Sequence, residues 1–243
     1  MKIAVISDIH ANLLALNEVL KDIQMEECDK IYCLGDLMLA GPQPKETIDF
    51  IMKQDWKIVQ GNTDEIITNY GPEVIQMMKD NFPVMGAALD NDMNDVTVDV
   101  YDFLKGLPKQ IEEEIEGVKI LMVHGSPRKN NENIFPEMHI EQVEEMIANT
   151  GADLILCGHT HKPCGYQTST RQTVVNVGSV GRPMTPTPYA CYAVIEINNG
   201  TFAVKHKFVD YNREKAMELI RNRGFEGAEI LANLLINTQE SHV

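Results

Sequence analysis

Ile3-Ala4-Val5-Ile6-Ser7-Asp8-Ile9-His10-Ala11-Asn12 is the stretch whose reading decides the fold. Its first four residues are all apolar, as in a parallel strand buried on both faces. Asp8 and His10 follow at once. Beyond Asn12 come Leu13, Leu16, Leu20 and Ile23, at a spacing that lines one face of a helix. A strand that runs through a polar loop into a helix opens an α/β sheet, and such sheets keep their ligands at strand ends. Asp8 and His10 offer a hard oxygen and an imidazole nitrogen to one metal ion. Alone, that pair fits a turn as well as a metal site.

The pattern recurs outward from this start. Lys30-Ile31-Tyr32-Cys33-Leu34-Gly35-Asp36 is a second short apolar strand ending in a carboxylate, at the distance of one βαβ unit, whose right-handed crossover sets the two ends side by side. Pro44 opens the next helix, with Ile48, Ile51 and Met52 inward. Residues 56–59 read as a third strand, ending in Gly61-Asn62-Thr63-Asp64. Strands are expected at 110–116 and 118–123 around Gly117, the second delivering His124-Gly125-Ser126-Pro127-Arg128. After a helix with Val143, Met146 and Ile147 inward, the strand Leu154-Ile155-Leu156-Cys157 ends in Gly158-His159-Thr160-His161. Segments 164–169, 173–177, 190–197 and 201–208 alternate as antiparallel strands do, the last two turning at Asn199-Gly200. Among them lies the glycine-rich loop Asn176-Val177-Gly178-Ser179-Val180-Gly181-Arg182-Pro183. Helices near 211–223, capped by Gly224, and near 226–237 close the chain.

Residues 65–106 carry no strand-end motif and read as a mostly helical insertion covering one side of the site. It is broken at Asn81-Phe82-Pro83 and has Val100, Phe103, Leu104 and Leu107 as a buried face. The acidic run at 90–95 lacks the glycine and the terminal glutamate of a calcium loop and reads as a solvated loop. Nothing in the 243 residues reads as a linker, so one domain spanning 1–243 is expected. No apolar run reaches the roughly 20 residues of a membrane span, and a strand pattern at the N-terminus predicts no signal peptide. Five cysteines form no C-x-x-C pair, and Cys33 and Cys157 lie in apolar runs, which points to a reducing cytoplasm. A formal net charge of -15 opposes long nucleic acid as a partner, since the overall field repels phosphate backbones.

Five strand ends thus present Asp8 with His10, Asp36, Asn62, His124, and His159 with His161. Any one of them is as well explained by a turn, a cap or a core histidine; together they suit a metal centre. In order and spacing they are D-x-H, G-D, G-N-x-D, H-G and G-H-x-H, and this pattern resembles the calcineurin-like metallophosphoesterase superfamily. The resemblance runs from Ser7 to about Pro183. Ser7-Asp8-Ile9-His10-Ala11-Asn12 and the loop from Asn176 to Gly181 are also similar to small bacterial and archaeal phosphodiesterases and diadenosine-tetraphosphatase-like members.

The resemblance implies a four-layer α/β fold, two stacked mixed sheets sandwiched between helices, and two divalent ions. Asp8, His10 and His161 would hold the first, Asn62, His124 and His159 the second, with Asp36 bridging. Mixed carboxylate, imidazole and amide ligands suit Mn, Fe, Zn, Co or Ni better than Mg or Ca. Two such ions outweigh two aspartates and a hydroxide, leaving a positive site that draws a phosphate into an acidic protein. The implied chemistry is attack on phosphorus by a hydroxide held between the ions, with Asp36, Asn62 and His124 as the catalytic groups.

The chain departs from the family at Thr63, where many members have a histidine credited with contacting phosphate and protonating the leaving group. General-acid help of that kind is worth about 10²–10⁴-fold in rate. The expected substrate is therefore a small nucleotide-like molecule with a good leaving group, a phosphoanhydride or an aryl phosphodiester rather than an alkyl monoester. Arg128, Lys129 and Arg182 follow motif loops and are candidate phosphate contacts, or else solvated charges. Ser126 and Ser179 read as loop-shaping hydroxyls, and His139, His206 and His242 as surface residues. The rival readings are a metal-binding interaction scaffold of the same fold with little activity, and a protein phosphatase.

Overall fold

The computed structural model describes residues 1–237; His242 lies outside them. The first sheet contains β1 (Lys2–Ile6), β2 (Lys30–Cys33), β3 (Lys57–Ile58), β9 (Ala190–Asn198) and β10 (Thr201–Val209), in the order β10-β9-β1-β2-β3. Within it β1, β2 and β3 run parallel, whereas β9 is antiparallel to both β1 and β10. The second sheet contains β4 (Gln110–Ile115), β5 (Val118–Val123), β6 (Leu154–Cys157), β7 (Cys164–Gln167) and β8 (Thr173–Asn176), in the order β4-β5-β6-β8-β7. Its centre, β5, β6 and β8, is parallel and its two edges are antiparallel.

Period-two alternation of side chains sorts β1 between two cores. Ile3 and Val5 join Tyr32, Leu34, Met122, Leu154, Leu156 and Val175 in the core between the sheets. Ala4 and Ile6 face outward against α1 (Leu13–Met25), α2 (Pro44–Ile51), the insertion, α8 (Arg213–Asn222) and α9 (Ala228–Leu234). On the far side, Leu121, Val123, Ile155 and Val174 of the second sheet pack against Val143 of α7 (Ile140–Met146). This is the expected arrangement of two mixed sheets between helical layers.

Three details depart from the sequence reading. The third strand is shorter than 56–59. The run from 164 to 208 is not one antiparallel series: β7 and β8 complete the second sheet, and β9 crosses to the first. Residues 190–195 of β9 are all buried, so this strand needs cover on both faces and takes an interior place between β1 and β10. The acidic run at 90–95 is no solvated loop, since Asp92 is fully buried.

The insertion is helical as expected: α3 (Asn62–Thr68), α4 (Pro72–Asn81), α5 (Pro83–Asp92), a 3-10 turn (Met93–Asp95) and α6 (Val98–Gly106). Pro83 stands at the first turn of α5, where a missing N–H costs nothing, so the chain breaks there. Asn12 caps α1, accepting from the Ala15 N–H at 3.1 Å, and its amide donates to the Gly181 carbonyl at 2.9 Å. The cap of the first helix therefore also ties down the glycine-rich loop.

Candidate metal centre

The C-terminal ends of β1, β2, β5 and β6 bring six of the expected ligands together, and Asn62 arrives on the first turn of α3. Asp8 Oδ1 lies 3.1 Å from His161 Nε2 and 3.9 Å from both His10 Nε2 and His124 Nε2. Asp36 reaches His124 Nε2 at 3.4 Å and His10 Nε2 at 3.6 Å. Two groups have ligand atoms all within 4.8 Å of one another: Asp8, His10 and His161, and Asp8, Asp36 and His124. Asn62 Oδ1 stands 2.9 Å from His124 Nε2, and the His159 ring lies edge-on to that of His124 at 5.2 Å.

Backbone strain is concentrated here. Asp8, His10, Asp36, His159 and His161 have φ of 54°, 45°, 56°, 66° and 59°, in the left-handed region that side chains other than glycine rarely adopt. Each such residue costs on the order of 1–3 kcal/mol and persists only where its surroundings over-determine it. Space is equally restricted. A Cβ on Gly61 would come 2.0 Å from Asp36 Oδ1, and one on Gly158 2.5 Å from Asp8 Oδ2.

Backbone carbonyls set the imidazoles. Nδ1 of His10 bonds the Leu39 carbonyl at 2.9 Å, Nδ1 of His124 that of Leu34 at 2.7 Å, and Nδ1 of His161 that of Arg182 at 2.7 Å. A carbonyl only accepts, so each Nδ1 carries the proton and each Nε2 turns inward. His10 Nε2 and His161 Nε2 then face each other at 3.1 Å. Asp8 Oδ1 beside them is buried and accepts no hydrogen bond. Two opposed lone pairs and an unpartnered carboxylate oxygen are satisfied only by a cation or a shared proton. This donor set fits a divalent transition ion.

The electrostatics are those of tightly opposed charges. Burial alone would raise both carboxyls, but the imidazoles outweigh it, holding Asp8 at about 2 and Asp36 well below the usual range. Burial also opposes a charge on His124, yet Asp36 and Asp8 push it up to about 10. For His10, burial and the neighbouring His161 prevail and lower it to about 4.

Several supporting residues were not legible beforehand. Asp64 accepts N–H bonds from Asp36 at 2.9 Å, Leu37 at 3.0 Å and Gly61 at 2.8 Å, so it shapes the Asp36 loop. Its place three residues after Gly61, from where its carboxylate reaches back to the Gly61 N–H at the start of α3, is the signal that marks it. Asp92 of α5 accepts from the Ala40 N–H at 2.8 Å and pairs with Arg223, which donates to the Gly41 carbonyl at 2.7 Å. That clip locks the loop whose Leu39 carbonyl orients His10. His206 is half-buried and bonds the Asn176 carbonyl at 2.7 Å, which corrects its reading as a surface residue.

Ser179 Oγ donates to the Asp8 carbonyl at 2.8 Å and accepts from the Arg182 N–H at 2.9 Å, the loop-shaping role expected of it. Ser126 likewise donates to Glu132. Arg128 is exposed, and its guanidinium is engaged by Glu132 and Glu145, with no contact to the centre. Arg182 is half-buried, and its carbonyl accepts from His161 Nδ1. Thr63 has a buried hydroxyl without a partner, and its N–H donates to Asp36 at 2.9 Å.

Comparison with known proteins agrees with this geometry. The chain is 34% identical over 239 residues to an uncharacterized protein of Methanocaldococcus jannaschii, covering 91% of this chain and 93% of that one. A metallophosphoesterase from Sphaerobacter thermophilus has a similar structure, with a TM-score of 0.78 and 26% identity over 97% of this chain and 98% of that one. A hypothetical protein from Pyrococcus horikoshii shares the fold, with a TM-score of 0.84, 23% identity and 97% of each chain covered. A model of the calcineurin-like phosphoesterase superfamily domain matches residues 1–200, which hold every strand-end group described above. With motif order, sheet topology and that match in accord, the chain belongs to the calcineurin-like phosphoesterase superfamily.

Proposed function

We propose that this chain is a metal-dependent hydrolase of phosphodiester or phosphoanhydride bonds in small, nucleotide-like substrates, working with two divalent ions. The observation that carries the reading is the pair of inward Nε2 atoms, 3.1 Å apart beside the buried, unpartnered Asp8 oxygen. Asp8, His10 and His161 would hold one ion, and Asn62, His124 and His159 the other, with Asp36 between them. When bound, divalent ions supply Lewis-acid polarisation of the phosphate and a nucleophile from water at neutral pH. The chain's own residues orient that chemistry. The carbonyls of Leu39, Leu34 and Arg182 fix three imidazoles, and Asn62 and His124 steady charge on the phosphate oxygens.

Thr63 carries an alcohol, a far poorer general acid for a leaving group than an imidazole. This favours substrates whose bond, when broken, releases a weakly basic oxygen. The test is hydrolysis of bis(p-nitrophenyl) phosphate, diadenosine tetraphosphate and glycerol phosphate with added Mn²⁺, before and after chelation, beside Asp36→Asn. Metal-dependent turnover of the first two, absent in the variant and slow with glycerol phosphate, is expected. Two metals bound with no turnover of any of them would favour the interaction scaffold instead.

A further inference from the structure

The chain has six arginines, and four of them carry a carboxylate: Arg128 with Glu132, Arg213 with Asp210, Arg221 with Glu229, and Arg223 with Asp92. Arg171 is exposed on a turn. Arg182 differs from all of these. It is half-buried, and the one hydrogen bond its guanidinium makes among the described residues is from Nη1 to Met85 Sδ, at 3.4 Å. A thioether is a weak acceptor, and a guanidinium has five N–H donors in a fixed fork. Withdrawing a cation from water without a partner is costly, and acids are abundant in a chain with 36 of them.

The location gives this unpaired cation a use. The Arg182 carbonyl accepts from His161 Nδ1 at 2.7 Å, so the residue adjoins the centre. Met85 lies on α5, so the insertion supplies the opposite wall. The ion pairs of Asp8 and Asp36 are with His10, His124 and His161, not with this guanidinium.

We propose that Arg182, walled by Met85, is the subsite for a second anionic group of the substrate beside the reacting phosphate, and that it selects compounds with two adjacent acidic groups, above all phosphoanhydrides. The proposal rests on the hydrolase reading. It also accounts for Thr63. Hydrolysis of a phosphoanhydride consumes one water, forms one P–O bond and breaks the bridging P–O bond. The electron pair stays on the departing phosphate, which needs no proton and whose charge a guanidinium can meet; the protons of water pass to the product phosphates and solvent.

Equilibrium dialysis of AMP and of the α,β-methylene analogue of ADP, which has no bridging P–O bond to cleave and stands for ADP below, against the Mn²⁺-loaded protein tests this subsite, with Mn²⁺ in excess of nucleotide. Arg182→Met is expected to weaken ADP at least about tenfold and AMP less than about twofold, since a bidentate charged contact is lost for ADP alone. Arg182→Lys keeps the charge without the fork and is expected to fall between, for ADP only; it replaces the methionine variant if that one does not fold. An equal loss for ADP and AMP would place Arg182 on the reacting phosphate and overturn the proposal, as would unchanged ADP binding. A wild-type protein that turns over no phosphoester with any metal defeats the hydrolase reading instead, and the dialysis reports on the subsite separately.

Discussion

At the scale of single residues, the centre is a set of strained positions held by neighbours with little room to move. Gly61 illustrates how little. In Gly61→Ala the new methyl must displace Asp36, whose Oδ1 lies 2.0 Å from where the Cβ would sit. Metal affinity, read by calorimetry with Mn²⁺ or Zn²⁺, is expected to fall by at least about 10–100-fold, the usual effect of disturbing the groups behind a ligand. A comparable loss is expected for Asp64→Asn, because an amide cannot accept the N–H bonds of Asp36, Leu37 and Gly61 together. If Asp64→Asn bound metal like the wild type, Asp64 would not be shaping the Asp36 loop. Asp64 was readable from the sequence only as an acid beside the missing histidine, because its three donors belong to the residues it folds against.

At the scale of elements, the insertion is more than a cover. Asp92 at the end of α5 and Arg223 just past α8 clamp Ala40 and Gly41 from two directions. Removing one partner leaves the other buried and uncompensated. Asp92→Ala is therefore expected to cost about 3–5 kcal/mol in denaturant unfolding. The double variant Asp92→Leu with Arg223→Met should cost less than the sum of the singles, since no lone charge remains. Strict additivity would show that the two act apart. In the sequence the 90–95 run resembled a solvated acidic loop because composition reports charge and not partners, and Arg223 lies more than a hundred residues away.

At the scale of the whole molecule, the two sheets share a core, and elements of the first sheet are also tied at the surface. Glu26, just past α1, is held by Lys2 of β1 and Lys207 of β10, and their hydrogen bonds lower its carboxyl from 4.5 to about 2. A depressed folded-state pKa contributes stability that is present above the unfolded value and lost as pH falls through the folded one. Thermal stability is thus expected to drop between about pH 4.5 and pH 2, with Glu26→Gln showing a shallower decline over that window. A variant curve parallel to the wild type would remove Glu26 from the account. Metal acts on the same whole: a ligand that binds only the folded chain raises the melting temperature by mass action, so chelation should lower it. No helix among the described residues is long and apolar enough to cross a membrane.

The sequence by itself determined the strand ends, the order of their ligand-type residues, the helical character of the insertion and the family. These are local properties, carried by apolar runs, by turn residues and by the few side chains that directly follow them. Only the tertiary structure decided that β9 joins the first sheet, since periodicity tells a strand which faces to bury but not which neighbour will bury them. It also decided which nitrogen carries the proton on three of the imidazoles. His124 takes its carbonyl from Leu34, 90 residues back, and His10 from Leu39, on a loop clipped by Asp92 and Arg223. Arg182 reads in the sequence as one basic residue among several. Its distinction is that no carboxylate among the described residues pairs with it, and whether a charge has a partner is settled only when the chain is folded.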